Sequence, residues 1–219
     1  MALTVAYVID QIRDQVPNAS PDSALLAILN TAHRQISRMV PIQRKTITVS
    51  LVLNQRAYVL DTKVLKVTSA YYYHTADDHN TLDLANPDVL DKDDPGWRRL
   101  TDTRPTKIVV QAADDHLDVL LDRQPTTTPS GGYPVMDLST WYCEPLTLIG
   151  NMPAQIDRPD AWVASVCKDV ARHRYPEIYG RAVADYDRAM AELTSDVSDQ
   201  VPDAWVGMQP SFRTAFRRR

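Results

Sequence analysis

The sequence predicts an α+β fold: N- and C-terminal antiparallel helices that form one helical bundle, an inserted antiparallel β region, and an extended C-terminal arm. Three observations carry this prediction. Apolar residues recur at helical spacing up to Met39 and again from Val163 to Leu193. Between them the period falls to two, with proline and glycine at the breaks. After Thr194 the periodicity stops, and the chain turns polar and ends in arginines. The expected divisions are 1–44 (helical pair), 45–152 (β-rich insertion), 153–194 (helical pair packing with the first) and 195–219 (arm).

The first helix is expected from about Leu3 to Gln15, where Val5, Val8, Ile9, Ile12 and Val16 fall on one face. Pro17-Asn18 breaks it. Ser20 can cap the next helix, with Pro21 in its first position and Asp22 in the positive first turn. Leu25, Leu29, Ala32, Ile36 and Met39 form its stripe, and Val40-Pro41 ends it. Two narrow stripes joined by a short loop predict an antiparallel pair.

Thr46 to Leu53 alternates polar and apolar residues, a strand signal. Asn54-Gln55-Arg56 reads as a turn, followed by Tyr58-Val59-Leu60. Val64 to Tyr73 is rich in β-branched and aromatic residues and reads as a strand. Leu82 to Leu90 does not alternate cleanly and reads as a short helix; Asp94-Pro95-Gly96-Trp97 is a turn. Pro105–Ala112 and Leu117–Leu121 form a hairpin across Ala113-Asp114-Asp115. Gln124 to Tyr133 is an exposed loop, and Val135 to Cys143 alternates again. In the last third, Asp160 caps a helix striped by Val163, Val166, Cys167, Val170 and Ala171. After Tyr175-Pro176-Glu177, a second is striped by Tyr179, Ala182, Val183, Tyr186, Met190 and Leu193.

Composition narrows the function classes. The chain has 219 residues, 44% hydrophobic and 24% charged, enough for a sizeable core without staples. Its net charge of −4 does not suit a chain that binds nucleic acid along its whole length. Prolines number 15 and glycines only 6. That balance favours stiff extended connections over phosphate-cradling loops. The N-terminus lacks a basic region followed by a long apolar run. No stretch approaches the roughly 18 apolar residues of a membrane helix, so no membrane is expected as a partner. Cys143 and Cys167 are therefore expected to stay reduced in a cytoplasm, or in an assembly formed there.

Several clusters resemble chemical sites. His74, Asp77, Asp78 and His79 offer imidazole and carboxylate to a divalent metal, and so a metal-dependent hydrolase. Their spacing matches neither a two-histidine helical site nor a calcium loop, and a solvated turn is the expectation. Asp91, Asp93 and Asp94, with Asp114 and Asp115, suggest paired carboxylates but fall on turns, where aspartate bonds its own backbone. Ser130-Gly131-Gly132 precedes a strand-like run, not the helix a phosphate loop needs. Cys167 lies on an apolar stripe, the place of a structural cysteine. No catalytic residue, metal or cofactor is assigned.

The C-terminus is the sharpest electrostatic feature. Four of the last seven residues are arginine, and no acid follows Asp203. The preceding stretch keeps Trp205, Val206, Met208, Phe212 and Phe216, more apolar than a linker needs. Candidate docking residues are Trp205, Met208, Phe212, Arg213, Phe216, Arg217, Arg218 and Arg219: aromatic anchors and arginine forks suited to a protein partner. Arginines also bind phosphate, which leaves a nucleic-acid-binding tail as an alternative.

The order of features resembles the head-to-tail adaptor (head-completion, or connector) proteins of tailed bacteriophages, over roughly Leu3 to Leu193. The resemblance rests on the N-terminal helices ending at Arg38-Met39-Val40-Pro41, then Arg56-Ala57-Tyr58-Val59-Leu60-Asp61 leading into Val64-Leu65-Lys66-Val67. It continues through Leu90-Asp91, Asp94-Pro95-Gly96-Trp97, Arg104-Pro105-Thr106-Lys107-Ile108-Val109 and Leu120-Leu121-Asp122-Arg123-Gln124-Pro125. Pro153, Ile156-Asp157 and Pro159 then precede the last helices, which close on Tyr186-Asp187-Arg188-Ala189-Met190. The resemblance implies a structural virion protein, not an enzyme. It implies a homo-oligomeric ring of about twelve copies at the virion neck, joining the portal protein to a tail tube or nozzle protein. Double-stranded DNA would pass through it without sequence specificity. It also implies that a C-terminal arm, here from Ser195 onward, reaches the portal. Another neck or tail ring subunit is the nearest alternative.

Overall fold

A computed structural model describes residues 3–16, 21–102, 104–126, 131–154, 156 and 158–200. In chain order the elements are α1 (Val5–Gln15), α2 (Asp22–Met39), β1 (Gln43–Ser50), β2 (Ala57–Val59), β3 (Val64–Tyr73), β4 (His79–Ala85) and α3 (Pro87–Asp93). A 3-10 turn (Trp97–Arg99) follows, then β5 (Thr101–Asp102), β6 (Lys107–Ala112), β7 (Leu117–Leu121), β8 (Gln124–Pro125), β9 (Val135–Tyr142), α4 (Asp160–Arg174) and α5 (Pro176–Gln200). The chain divides into two compact units: one from the residues up to Ile42 together with those from Leu146 onward, the other Gln43–Pro145.

In the helical unit, the Thr4 hydroxyl accepts the Tyr7 N–H at 3.3 Å and starts α1. Val5, Val8, Ile9 and Ile12 are buried, as their spacing predicts. Helix α2 begins at Asp22 with Pro21 in the cap position, so it starts one residue later than the sequence places it. Ser20, the expected cap, lies outside the described residues. Arg13 reaches across to the Asp22 carboxylate, an exposed ion pair.

Helices α1 and α2 each pack more extensively on α4 than on each other. Accordingly α4 carries more than the expected stripe: every residue from Ala161 to Cys167 is buried. A helix with neighbours on several sides must be apolar all round. Residues of α1, α2, α4 and α5 join one apolar cluster. Helix α5 runs on to Gln200, past the expected stop at Thr194, so the segment expected to be extended begins as helix. Val197 continues the four-residue spacing from Leu193, and both pack against the core.

The β unit holds a seven-stranded sheet in the order β1-β9-β3-β4-β6-β7-β2. The expectation of an all-antiparallel region is corrected here. β4 and β6 run parallel, pairing Asp83 with Lys107 and Ala85 with Val109, and β5 and β8 form a separate parallel pair. Parallel neighbours require a crossover, supplied by α3 and the 3-10 turn. The Leu82–Leu90 reading is likewise divided: Leu82 and Leu84 lie on β4, while Val89 and Leu90 lie on α3. Gln124 and Pro125, expected in a loop, form β8; residues 127–130 lie outside the described residues.

One sheet face buries Tyr58, Val67, Tyr72, Ile108, Leu121 and Met136 in a single cluster. The other face of β6 carries a second, smaller cluster of Val109, Leu90 and Trp97 under the crossover. Arg56 fixes that crossover: its guanidinium donates to the carbonyls of Trp97 at 2.6 Å and Leu100 at 2.7 Å and lies 5.7 Å from the Trp97 ring centroid. The Asp91 carboxylate accepts the Trp97 indole N–H at 2.7 Å and also pairs with Arg98.

Candidate functional site

The chemical clusters are not assembled into sites. The His74 ring nitrogen Nδ1 meets the Tyr72 hydroxyl at 3.3 Å, and His79 stacks on Tyr73 at 5.1 Å between centroids. Asp78 is held by Arg104 in an ion pair. Among the described residues, no group of three or more His, Cys, Asp or Glu comes together to hold a metal ion. Asp91 is bound to Arg98 and Trp97, whose hydrogen bonds hold its carboxyl below the usual range, so it is committed to the crossover. On the β6–β7 hairpin, His116 donates to Asp115 at 2.7 Å and lies 3.3 Å from Asp118. The Asp115 hydrogen bond, with Asp118 adding to it, raises the imidazole above its ordinary value.

Gly131 and Gly132 take positive φ (60° and 86°), which suits glycine, and lead into β9 rather than into a helix. Cys167 is buried in the helical core, where loss of solvation and the nearby Asp185 push its thiol up to about 11. That is the opposite of what a nucleophile needs. Cys143 is buried in the β unit.

The candidate docking residues Trp205, Met208, Phe212, Arg213, Phe216, Arg217, Arg218 and Arg219 lie outside the described residues. Within the described ones, two surface features stand out. The first is the turn Thr147–Gly150, closed by the Gly150 N–H on the Thr147 carbonyl at 2.9 Å. Its base is tied down on both sides. The Asn30 amide donates to the Leu146 carbonyl at 3.1 Å and accepts its N–H at 2.7 Å, and the Val5 N–H donates to the Gly150 carbonyl at 3.1 Å. Ile149 at its tip is 100% exposed, a large apolar group held out on a braced turn.

The second is the edge of the sheet at β1. Arg44, Lys45, Thr46, Thr48 and Ser50 are exposed, and Ile47 and Val49 are only half-buried although they face the core cluster. At the base of the same sheet Lys63 pairs with Glu144 at 3.0 Å, while Lys45 and Lys66 lie over the rings of Tyr142 and Trp141. The alternation of Thr46–Ser50 marks a strand, but strand order is set by distant partners, so the sequence does not reveal that this strand is an edge.

No helix among the described residues is long and apolar enough to cross a membrane. Comparison with known proteins gives one family: the chain matches the family described as SU10 adaptor protein over residues 3–211. No curated protein matches it. A match running through both units and into the segment after α5 covers the whole described fold, and it accords with a chain whose polar clusters are spent on holding turns and crossovers. The chain belongs to the SU10 adaptor protein family, a family of structural bacteriophage proteins of head-tail adaptor type.

Proposed function

We propose that this protein is a head-to-tail adaptor that forms a ring of about twelve copies, joins the portal to the tail, and continues the DNA channel at the virion neck. The observation that carries this reading is the family match from residue 3 to residue 211. The geometry fits it. A ring needs heterologous contacts, in which one patch of a subunit meets a different patch of the next. The helical unit offers a braced apolar turn, and the β unit offers β1, the last strand of the described sheet, two unlike surfaces on one chain.

In this reading the partners are other copies of the chain, the portal protein, a tail tube or nozzle protein, and passing double-stranded DNA read without sequence specificity. Assembly takes place in the host cytoplasm. The C-terminal residues Trp205, Met208, Phe212, Arg213, Phe216 and Arg217–Arg219 form the arm that docks on the portal. A tethered arm adds affinity through its high effective concentration. The experiment is mass photometry of the protein alone and mixed with its portal. Ring-sized complexes are expected in the mixture, and a strictly monomeric species in both samples overturns the reading. Deleting Gln209–Arg219 is expected to weaken docking with the fold intact, and unchanged docking removes the arm from the proposal.

One observation favours a second reading. Because no acid follows Asp203, Arg213 and Arg217–Arg219 form an unopposed cationic end suited to phosphates. DNA affinity that falls steeply with salt and is lost on deleting these residues supports it, and absence of binding at low salt removes it.

A further inference from the structure

We propose that β1 is the acceptor edge for an eighth strand of the sheet, and that this strand is Asp203–Gln209 of a second copy of the chain. The identity of the donor as a second copy rests on the ring reading; the strand pairing itself does not.

The edge is regular. β1 ends the seven-stranded order and pairs with β9 over eight consecutive residues without a shift, whereas the β3–β9 pairing slips twice. Exposed edges are usually blunted by proline, bulges or inward charges. Thr46–Ser50 has none of these; the one inward charge is Lys45 at the start of the strand, on the side of Ile47 and Val49 and over the Tyr142 ring. Burial also falls away at this edge. Ile47 shares a row with Leu138 and Val49 shares one with Met136. Leu138 and Met136 are fully buried, while their β1 partners are half-exposed to solvent, as expected when one flank has no neighbouring side chain.

The missing neighbour has a definable chemistry. It must be extended and carry apolar residues two apart on the core side beside Ile47 and Val49. Outside the described residues, Pro202 and Pro210 bracket seven proline-free residues, Asp203–Gln209. Laid parallel to β1 with Val206 beside Ile47, this segment sets Met208 beside Val49 and Asp203 beside Arg44. Trp205 and Gly207 then fall on the polar face with Thr46 and Thr48. The prolines lie at the strand ends, where a missing N–H is tolerated. The family match includes this segment and stops at residue 211, short of Phe212. With this pairing the portal contact proposed above narrows from Trp205–Arg219 to Phe212–Arg219, and Trp205 and Met208 belong to the added strand.

Hydrogen exchange tests the pairing. Exchange across Gln43–Ser50 is measured for the full chain and for the full-length Val206→Asp/Met208→Asp variant, each at low and high concentration. The expected result is concentration-dependent protection of β1 in the parent, with exchange about tenfold or more faster in the variant, and unchanged exchange in α4. Equal β1 exchange in the two proteins overturns the proposal, and so does protection independent of concentration, which signals a donor in the same chain. A synthetic peptide of residues 201–211 added to the variant is expected to restore protection; failure to do so overturns strand addition. Peptide protection without rings in mass photometry sinks the ring reading, and with it the second copy as donor, and leaves the strand pairing standing. Rings with unprotected β1 sink this inference alone.

Discussion

The indole N–H of Trp162 donates to Nδ1 of His33 at 3.1 Å, and neither side chain has any exposed surface. This bond ties α2 to α4 inside the helical core. Trp162→Phe keeps an aromatic ring but removes the donor. The acceptor loses that partner where water cannot replace it, a cost of about 1–3 kcal/mol. Urea denaturation should show an unfolding free energy lower by that amount, with the midpoint shifted down accordingly, and Trp162→Ala should cost about 3–5 kcal/mol.

Arg56→Lys should loosen the crossover although it keeps the charge. The guanidinium satisfies two carbonyls at once and covers the Trp97 ring, geometry an ammonium cannot reproduce. A loss of about 1.5–3 kcal/mol is expected. Native-state hydrogen exchange should quicken across Pro87–Leu100 while the helical unit keeps its protection.

His116 gives the β6–β7 hairpin a pH dependence of defined sign. Its partners raise the folded midpoint above the ordinary value of 6.5, so the imidazolium form is favoured by folding. The stabilisation is fully present below the unfolded midpoint and is lost as pH rises through the folded one. Titration of the His116 ring protons by NMR should give a midpoint above 6.5, and Asp115→Asn should move it down.

The thiol of Cys167 should resist modification in the folded protein. With its midpoint pushed up to about 11, roughly one thiol in a thousand is ionised at pH 8. Labelling by iodoacetamide at that pH should be negligible until denaturant is added, and rapid native labelling would contradict the burial described for α4.

Local periodicity made much of the fold legible. Val64–Tyr73 reads as a strand from its β-branched and aromatic content and is β3 over the same residues. The β6–β7 hairpin follows from two short runs across Ala113-Asp114-Asp115. Features fixed by distant partners were not legible. Asp83 gives no sign that it pairs in parallel with Lys107, and Arg56, read as a turn residue, becomes the clamp of a crossover only because Trp97 folds over it. Asp91 and Asp93, expected on a turn, lie on α3, and the acidic run resembles an acid–base pair in sequence because composition cannot tell a carboxylate awaiting a substrate from one already bound to an arginine. Of the candidate site, the aromatic and arginine residues after Gln200 are legible as composition, whereas the edge position of β1 among the described strands depends on which of them pair elsewhere.

The position of β9 has a consequence in time. Among the described strands it is the last to be made, yet it sits second in the sheet, holding β1 on one side and β3 on the other. α4, on which both N-terminal helices pack, is made later still. At synthesis rates of about 5–20 residues per second, α1, α2 and β1 wait several seconds on the ribosome for the segments that complete them. The central pairing of the sheet and the packing of both N-terminal helices are therefore completed only when β9 and α4 have been made, whereas local pairs such as β6–β7 need no such wait.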